Sequence, residues 1–267
     1  MKTTAKEEEM NIVVFDTETT NLEKPFCYNI GYVVYDTESK QIILKREFVV
    51  EQVWHNDMLF TTAYYNDKRE IYVKRMQGRK VRMEKFGFIT QQMYRDFKAY
   101  EIELAFAYNS PFDTKVFAYN CDWFKCINPF DDIEIRDIRG FVHCFIAFDE
   151  TFQKFCEEHE YYTESGNYST TAETLFRFIK QDTDFEEEHT ALADSLIELE
   201  ILRYCLDLGA DIEKVYKTYS SIPKKGQKVL KIEQKDKDGN VRVDEFVYES
   251  RRNYKDKNGQ VNRIVLK

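Results

Sequence analysis

Short apolar runs separated by polar segments predict that the chain opens as a β-meander. Residues 11–15 (NIVVF) are apolar and β-branched in character, which is typical of a strand buried on both faces, and this run ends at Asp16. Residues 30–35 and 42–50 indicate two further strands, because the polar segment 36–41 between them has the length of a hairpin connection. Three sequential strands therefore begin the fold.

Helical and strand patterns alternate through the rest of the first 213 residues. Ser110 and Pro111 suit the N-cap and first position of a helix, and Gly209 suits a helix end. A meander followed by alternating helices and strands indicates an α/β fold, with a mixed sheet flanked by helices. The predicted later strands are 104–108 and 133–137, and the predicted helices are 111–119, 141–158, 171–180 and 190–208.

The last part of the chain, residues 214–267, differs in pattern and in charge. It alternates apolar and polar positions and contains two turn sequences, at 235–239 and 255–259, which end in Asp-Gly and Asn-Gly. It holds 15 basic and 7 acidic residues, whereas residues 1–213 hold 24 and 41. The sequence thus predicts one domain at 1–213 and a basic, three-stranded β-hairpin appendage at 214–267. The charge of the appendage suits either phosphate attraction or solubility alone.

Composition is that of a folded protein, with 43% hydrophobic and 33% charged residues. Residues 1–10 carry charges where a signal peptide is apolar, and no later stretch approaches about 20 apolar residues. We therefore expect an intracellular, cytoplasmic protein without membrane contact. The six cysteines lack C-x-x-C spacing, which predicts free buried thiols at Cys27, Cys121, Cys126, Cys144, Cys156 and Cys205.

The first candidate site residues are two carboxylates at the end of the first strand, Asp16 and Glu18. Side chains alternate along a strand, so both project to the same side and share a small volume. Like charges at close range raise a pKa or attract a metal ion. The alternative is an acidic pair exposed in a surface turn.

Two later aspartates add to this pattern. Asp113 lies in the first turn of its predicted helix, where it either stabilises the helix N-terminus or emerges at the carboxyl-end edge of the sheet, where α/β sheets place their sites. Asp194 begins an apolar helical stripe, and a charge facing a core requires a salt bridge or a metal ion. The other members of that stripe are Ile197, Ile201, Cys205 and Leu208.

His189 stands just before the helix of Asp194. A separation of five residues corresponds to a turn of roughly 140° around a helix, so the two residues cannot share one helical face. If both serve one site, His189 lies in the preceding loop or the first turn. The alternative is a surface histidine or one satisfied within the core.

The three motifs together resemble those of the DEDDh exonucleases. D-x-E at Asp16–Glu18, N-x-x-x-D at Asn109–Asp113 and H-x-x-x-x-D at His189–Asp194 occur in the family's order, and the resemblance covers about residues 10–208. That family includes the proofreading subunit of bacterial replicative polymerases, ribonuclease T and phage-encoded exonucleases. The resemblance implies a ribonuclease H-like sheet and a 3′-to-5′ exonuclease that hydrolyses phosphodiester bonds at nucleic-acid 3′ ends. The motifs themselves do not distinguish DNA from RNA, because they act on phosphates and not on the 2′-OH, and DNA is the substrate that we favour.

The resemblance also implies the roles of the site residues. Four carboxylates, Asp16, Glu18, Asp113 and Asp194, would bind two Mg²⁺ or Mn²⁺ ions, for which hard oxygen ligands are suited. His189 would act as the general base. Thr17, Asn109 and Phe112 are the expected substrate-binding residues, although a phenylalanine in a first turn is more often part of the core.

The segment 67–85 is the remaining candidate for contact with nucleic acid. It holds eight basic and three acidic residues, with tyrosines at 64, 65 and 72, which suits a single strand through phosphate contacts and base stacking. A solvated hairpin is the alternative. Three functions stay open: a DNA exonuclease, a ribonuclease that trims RNA 3′ ends, and a silent nucleic-acid-binding subunit. A polymerase or other replication protein is a candidate partner, bound by strand addition to the appendage.

Overall fold

The computed structural model describes residues 10–63, 65–219 and 221–222, and the backbone of residues 228–235, 241–248 and 264–266. These residues form two compact units. Those of the first unit lie within Met1–Ile146 and Thr171–Thr218, and those of the second lie within Ala147–Thr170 and Tyr219–Lys267. The predicted division of the chain at residues 213 and 214 stays a prediction.

A six-stranded mixed sheet forms the centre of the first unit, with the strand order β4-β3-β2-β1-β5-β6. The first three strands are an antiparallel meander, as predicted, whereas β5 and β6 run parallel to β1, and β4 runs parallel to β3. The strands are β1 (Asn11–Thr19), β2 (Cys27–Asp36), β3 (Gln41–Val50), β4 (Arg82–Glu84), β5 (Leu104–Ala107) and β6 (Glu134–Asp137).

The middle strands of this sheet, β2, β1 and β5, are apolar and buried. Residues 12–15 of β1 and all four residues of β5 are buried, as the near-continuous apolar runs predict. Strand β1 continues beyond the predicted end at Asp16 as far as Thr19, so Asp16, Thr17 and Glu18 belong to the strand. The core beneath is aromatic, with Phe15 against Phe117 and Phe130.

Helices cover the sheet. Those of the first unit are α1 (Glu51–Trp54), α2 (Asp57–Phe60), α3 (Arg69–Gln77), α4 (Phe86–Ala99), α5 (Ser110–Phe124), α6 (Ile138–Phe145), α8 (Ala172–Lys180) and α9 (Ala191–Asp207); α7 (Glu150–Glu158) belongs to the second unit. The helix predicted over 141–158 is wrong as a single element, because Asp149 accepts hydrogen bonds from the N–H groups of Thr151 and Phe152 and begins a new helix there. The N-cap of α5 is Asn109 rather than Ser110, and the helix continues to Phe124, beyond its predicted end near 119.

The segment between β3 and β5 is folded and is not a hairpin. It contains α1, α2, a 3₁₀ helix at Asn66–Lys68, α3, β4 and α4. The alternative of a solvated hairpin at 67–85 is therefore wrong. Sequence patterning missed most of these elements because they are short and polar, and one of them, α3, buries only Tyr72.

The second unit contains a three-stranded antiparallel sheet, β7 (Lys228–Lys235), β8 (Val241–Tyr248) and β9 (Ile264–Leu266), which agrees with the predicted β appendage. Its order is β8-β7-β9, so β9 pairs with β7. The strand order therefore does not fit a second hairpin between neighbours β8 and β9. Of the predicted turns, positions 236–239 and 255–259 lie outside the described residues.

Two further expectations concern the membrane and the cysteines. Within the described ranges, no helix has both the length and the apolar character needed to cross a bilayer. All six cysteines are free, as predicted, but burial is uneven: Cys144 is exposed and Cys126 is partly exposed, whereas the other four are buried.

Candidate active site

Three of the predicted carboxylates come together. Asp16 and Glu18 leave the same face of β1, and Asp194 approaches from the first turn of α9, so that one oxygen atom of each lies within 4.8 Å of the others. Oδ1 of Asp194 is buried and has no hydrogen-bond partner among the described residues. A buried carboxylate oxygen without a partner is costly, and a divalent cation between the three groups would satisfy it.

A close approach between α9 and β2 places Asp194 above the strand. Gly31, the register partner of Asp16, faces the start of α9 so closely that a Cβ there would lie 2.2 Å from the carbonyl carbon of Ala191. Oγ of Ser195, which donates to the carbonyl oxygen of Ala191 at 2.6 Å, lies 3.2 Å from the carbonyl oxygen of Gly31. Oδ1 of Asn29 accepts from the N–H of Ala191 at 2.8 Å. Only glycine permits this packing, and the packing fixes where Asp194 lies.

The cluster raises the pKa of its own members. Burial and the neighbouring carboxylates raise the pKa values of Asp16 and Glu18 well above their ordinary range. Burial followed by the charge of Glu187 raises the pKa of Asp194 to about 8. Asp194 therefore holds its proton near neutral pH unless a cation replaces it, and Asp16 and Glu18 keep theirs to higher pH than ordinary carboxyl groups do.

Asp113 lies beside this set and makes a different contact. It is buried, and its Oδ1 accepts a hydrogen bond of 2.6 Å from the hydroxyl of Thr17. Burial raises its pKa to about 7, although the Thr17 hydrogen bond opposes the shift. After burial, the charge of Asp113 contributes most to the raised pKa of Asp16, so the two carboxylates are electrostatic neighbours. Thr17, an expected substrate residue, donates its hydroxyl to Asp113, and its contact with substrate stays a prediction.

Glu198 is a buried carboxylate that the sequence analysis missed. It is 4% exposed, its Oε2 accepts from the N–H of Tyr108 at 3.1 Å, and burial and the charge of Asp113 raise its pKa well above its ordinary range. It lies four residues after Asp194, on the same face of α9. That spacing was the available signal, but the neighbouring Ile197 and Ile201, both buried, made the stripe look purely apolar. Leu208, predicted in that stripe, is 49% exposed.

His189 lies in the loop before α9, with a left-handed backbone conformation at φ 55°. Its ring stacks on the ring of Tyr65, and its Nδ1 is 3.7 Å from Oε2 of Glu187. Burial, followed by the charge of Lys68, lowers the pKa of His189 below its ordinary value. Burial also raises the pKa of Glu187 to about 7. A neutral imidazole beside a carboxyl group is therefore the prevailing state near neutral pH.

The remaining two expected substrate residues have structural contacts. Asn109 is exposed and left-handed at φ 65°; its N–H donates to Oδ1 of Asp137 at 2.9 Å and its own Oδ1 accepts from Arg139 at 3.3 Å. Phe112 is partly buried and packs against the hydrophobic core, in agreement with the core interpretation of that residue.

This fold occurs in solved nuclease structures. The chain is similar to the nuclease domain of 3′hExo, a DEDDh family member with bound rAMP, with a TM-score of 0.54 and 13% identity over 80% of this chain and 100% of that chain. The chain has the ribonuclease H-like fold of a DEDDh exonuclease. At this identity the likeness establishes the fold, and residue roles depend on the geometry described above.

Two further matches have lower TM-scores. One is E. coli exonuclease I in complex with a dT13 oligonucleotide, with a TM-score of 0.47 and 15% identity, covering 74% of this chain but 40% of that one. The other is a 3′-exonuclease in a structure of 3′-end specific recognition of histone mRNA stem-loop, with a TM-score of 0.49 and 15% identity over 82% and 74% of the two chains. No protein-family model and no curated protein matches the chain.

Proposed function

We propose that the protein is a divalent-metal-dependent 3′-to-5′ exonuclease that removes nucleotides from single-stranded 3′ ends, with DNA as the favoured substrate. The observation that carries the proposal is the approach of Asp16, Glu18 and Asp194 to within 4.8 Å, with one oxygen of Asp194 buried and without a partner among the described residues. The DEDDh-type fold supports it.

The donor set suits Mg²⁺ or Mn²⁺, because all of its atoms are hard carboxylate oxygens. Asp16, Glu18 and Asp194 would hold a first ion, and Asp113 would complete the set for a second. Two such ions activate an attacking water and stabilise the leaving 3′ oxygen in phosphodiester hydrolysis. Before ions bind, the carboxyl groups must lose the protons that burial favours, so metal affinity should increase with pH.

His189 would accept the proton of the attacking water. Its lowered pKa keeps the imidazole neutral at pH 7, which is the state that a general base needs. His189 lies in the loop before α9, so it need not share a helical face with Asp194. The described contacts of its ring are with Tyr65 and Glu187, and its approach to the attacking water is part of the proposal.

Exposed basic residues of the segment 67–85 would contact phosphates, but they are fewer than the composition of that segment suggests. Arg69, Arg75 and Arg82 form ion pairs with acidic residues of the protein. Four others are exposed and have no ion-pair partner within the described part of the chain, which leaves them as candidates: Lys74, Arg79, Lys80 and Lys85. The basic residues 214–267 remain a second candidate, and a polymerase or other replication partner remains a proposed ligand of that appendage.

The test uses matched DNA and RNA oligonucleotides of one sequence, labelled at the 5′ end and incubated with Mg²⁺ or Mn²⁺. We expect a ladder that shortens from the 3′ end, faster for DNA, and no reaction with EDTA. Faster shortening of RNA would replace the DNA preference with RNA trimming. Retention in a gel without shortening, or cuts within the strand, would contradict the proposal.

Two variants separate metal binding from proton transfer. Asp16→Asn should remove both activity and stabilisation of the fold by Mn²⁺. His189→Gln should reduce the rate by about 10² to 10⁴, as loss of a general base does, while the stabilisation by Mn²⁺ persists. Equal loss of the metal response in both variants would contradict the role assigned to His189.

A further inference from the structure

The ring of His189 is stacked on the ring of Tyr65. The ring centroids are 4.2 Å apart and the planes differ by 12°. Tyr65 directly precedes the 3₁₀ helix at Asn66–Lys68, in the segment between β3 and β5, and it is partly buried. It belongs to none of the three sequence motifs, so nothing in the motif pattern assigns it a role.

The same segment also contacts the side chains of the residues on either side of the histidine. Arg75 of α3 donates to Oε1 of Glu188 at 2.6 Å and to Oγ1 of Thr190 at 3.0 Å, which are the two neighbours of His189 in the chain. Arg75 also pairs with the buried Glu47 of β3, so these contacts start from a fixed point in the sheet. The loop is thereby linked to α3 through a side chain on each side of His189.

A second contact, through Tyr72 of α3, fixes the end of the loop. Its hydroxyl donates to Oδ1 of Asn29 at 3.0 Å, and the same oxygen accepts from the N–H of Ala191 at 2.8 Å. Tyr72 is fully buried. The backbone of the loop is thereby tied to β2, and the remaining freedom of His189 lies in its side-chain torsions.

Tyr65 and Glu187 restrict those torsions. The tyrosine covers one face of the imidazole, and Glu187 lies on the Nδ1 edge at 3.7 Å, which leaves Nε2 on the opposite edge of the ring. The side chain of His189 is 27% exposed. The other charged groups that influence the ring are Lys68 and Asp67 of the 3₁₀ helix and Glu173 of α8.

The geometry points to Tyr65 as a positioning residue that holds the imidazole of His189 in the orientation needed for proton transfer. This inference rests on the proposed function, in which His189 is the general base. A base must be held in place to act efficiently, since a displacement of about 1 Å can cost about 10²-fold in rate. The segment between β3 and β5 thus supports the loop before α9 that contains His189.

A different role for Tyr65 gives different results. If it stacked on a nucleotide base, its removal would raise KM and leave the imidazole of His189 unaffected, because base stacking contributes to binding. If it positions His189, removal of the ring lowers kcat, whereas either a tyrosine or a phenylalanine ring at position 65 maintains kcat. Tyr65→Phe and Tyr65→Leu are the matched variants, since the first keeps the stack and the second removes it.

The first measurement is independent of activity. The protein has four histidines, so the ring signals of His189 can be assigned by NMR from the His189→Gln variant. We expect them to be displaced upfield by the tyrosine ring in wild-type protein and in Tyr65→Phe, and to move toward ordinary positions in Tyr65→Leu. Signals at ordinary positions in the wild type would overturn the inference, even if the leucine variant fails to fold.

The second measurement is the rate at saturating metal over a range of pH. We expect Tyr65→Leu to lower kcat about tenfold with KM nearly unchanged, and to move the acidic limb to higher pH because the exposed imidazole regains its ordinary pKa. Tyr65→Phe should match the wild type. A raised KM with an unchanged pH profile would overturn the inference in favour of base stacking. Absence of 3′ shortening by the wild type would instead reject the proposed function. The NMR measurement would still decide whether Tyr65 stacks on His189.

Discussion

The hydroxyl of Thr17 donates a hydrogen bond of 2.6 Å to Oδ1 of Asp113, joining β1 to the first turn of α5. Thr17 lies between Asp16 and Glu18, and alternation along the strand directs its side chain to the other face. The D-x-E sequence therefore contributes to the site through all three residues. Two carboxylates face α9, and the middle hydroxyl fixes the carboxylate of α5.

Thr17→Val tests this relationship. The hydrogen bond favours the charged form of Asp113, so its loss should raise the pKa of Asp113 further above about 7. A hydrogen bond to a charged group contributes about 1.5–3 kcal/mol, so Mn²⁺ affinity at pH 7 should fall about tenfold or more. Isothermal titration with Mn²⁺ measures this, and Thr17→Ser is the control that retains the donor. Equal Mn²⁺ affinities for Thr17→Val and the wild type would show that Thr17 does not contribute to the metal site.

The stability of the metal-free protein should fall as pH rises. Asp113 and Asp194 have an ordinary pKa of 3.8 and folded-state values of about 7 and about 8. The folded state thus binds more protons than the unfolded state between these values, and stability is fully present below pH 4 and is lost as pH rises through 7 to 8. Melting temperatures in EDTA should be lower at pH 8 than at pH 5.

Addition of Mn²⁺ should reverse that loss. At a hundred times its Kd, an ion that binds only the folded state stabilises it by about 2.7 kcal/mol per site. The increase in melting temperature should be larger at pH 8, where fewer protons compete for the carboxylates. A melting temperature that ignores Mn²⁺ and EDTA at both pH values would contradict a metal site.

Glu198→Gln tests the carboxylate that the motifs do not include. Glutamine can still accept from the N–H of Tyr108 but cannot ionise, so the variant removes one buried charge from the neighbourhood of Asp16 and Asp113. In EDTA we expect a higher melting temperature than wild type at pH 8 and the same at pH 5. Glu198→Ala, which removes the acceptor, should be destabilised at both. A melting temperature of Glu198→Gln below that of the wild type at pH 8 would show that a favourable interaction offsets the cost of burying the charge of Glu198.

Gly31→Ala should disturb the site through packing. The added methyl would overlap the backbone at Ala191, forcing α9 away from β2 at an expected cost of about 1–3 kcal/mol and displacing Asp194. Thermal unfolding and Mn²⁺ titration should both show a loss. Gly87→Ala is the control, because a Cβ there meets only Cys126 at 3.4 Å, and it should behave as wild type. Unchanged metal affinity in Gly31→Ala would mean that α9 adapts without moving Asp194.

Much of the fold could be predicted because apolar periodicity is a local property of the chain. The meander β1–β3, the buried strand β5 and the long helix α9 each contain enough apolar residues to reveal their period, and the structure has all of them. The short polar helices between β3 and β5 were not predicted, because such helices derive their stability from tertiary packing. The break between α6 and α7 depends on one capping side chain, Asp149, within a segment that looks helical throughout.

The sequence by itself determined which residues could carry the chemistry: carboxylates at a strand end and at the start of a helix, and a histidine before that helix. Alternation along β1 was sufficient to pair Asp16 with Glu18, since both belong to one strand. Only the tertiary structure decided which distant groups join them. Glycine at position 31 admits α9 close to β2, and ring stacking sets Tyr65 against His189 across a long sequence separation. These contacts depend on the shapes of surfaces that meet only after folding, and no local pattern encodes them.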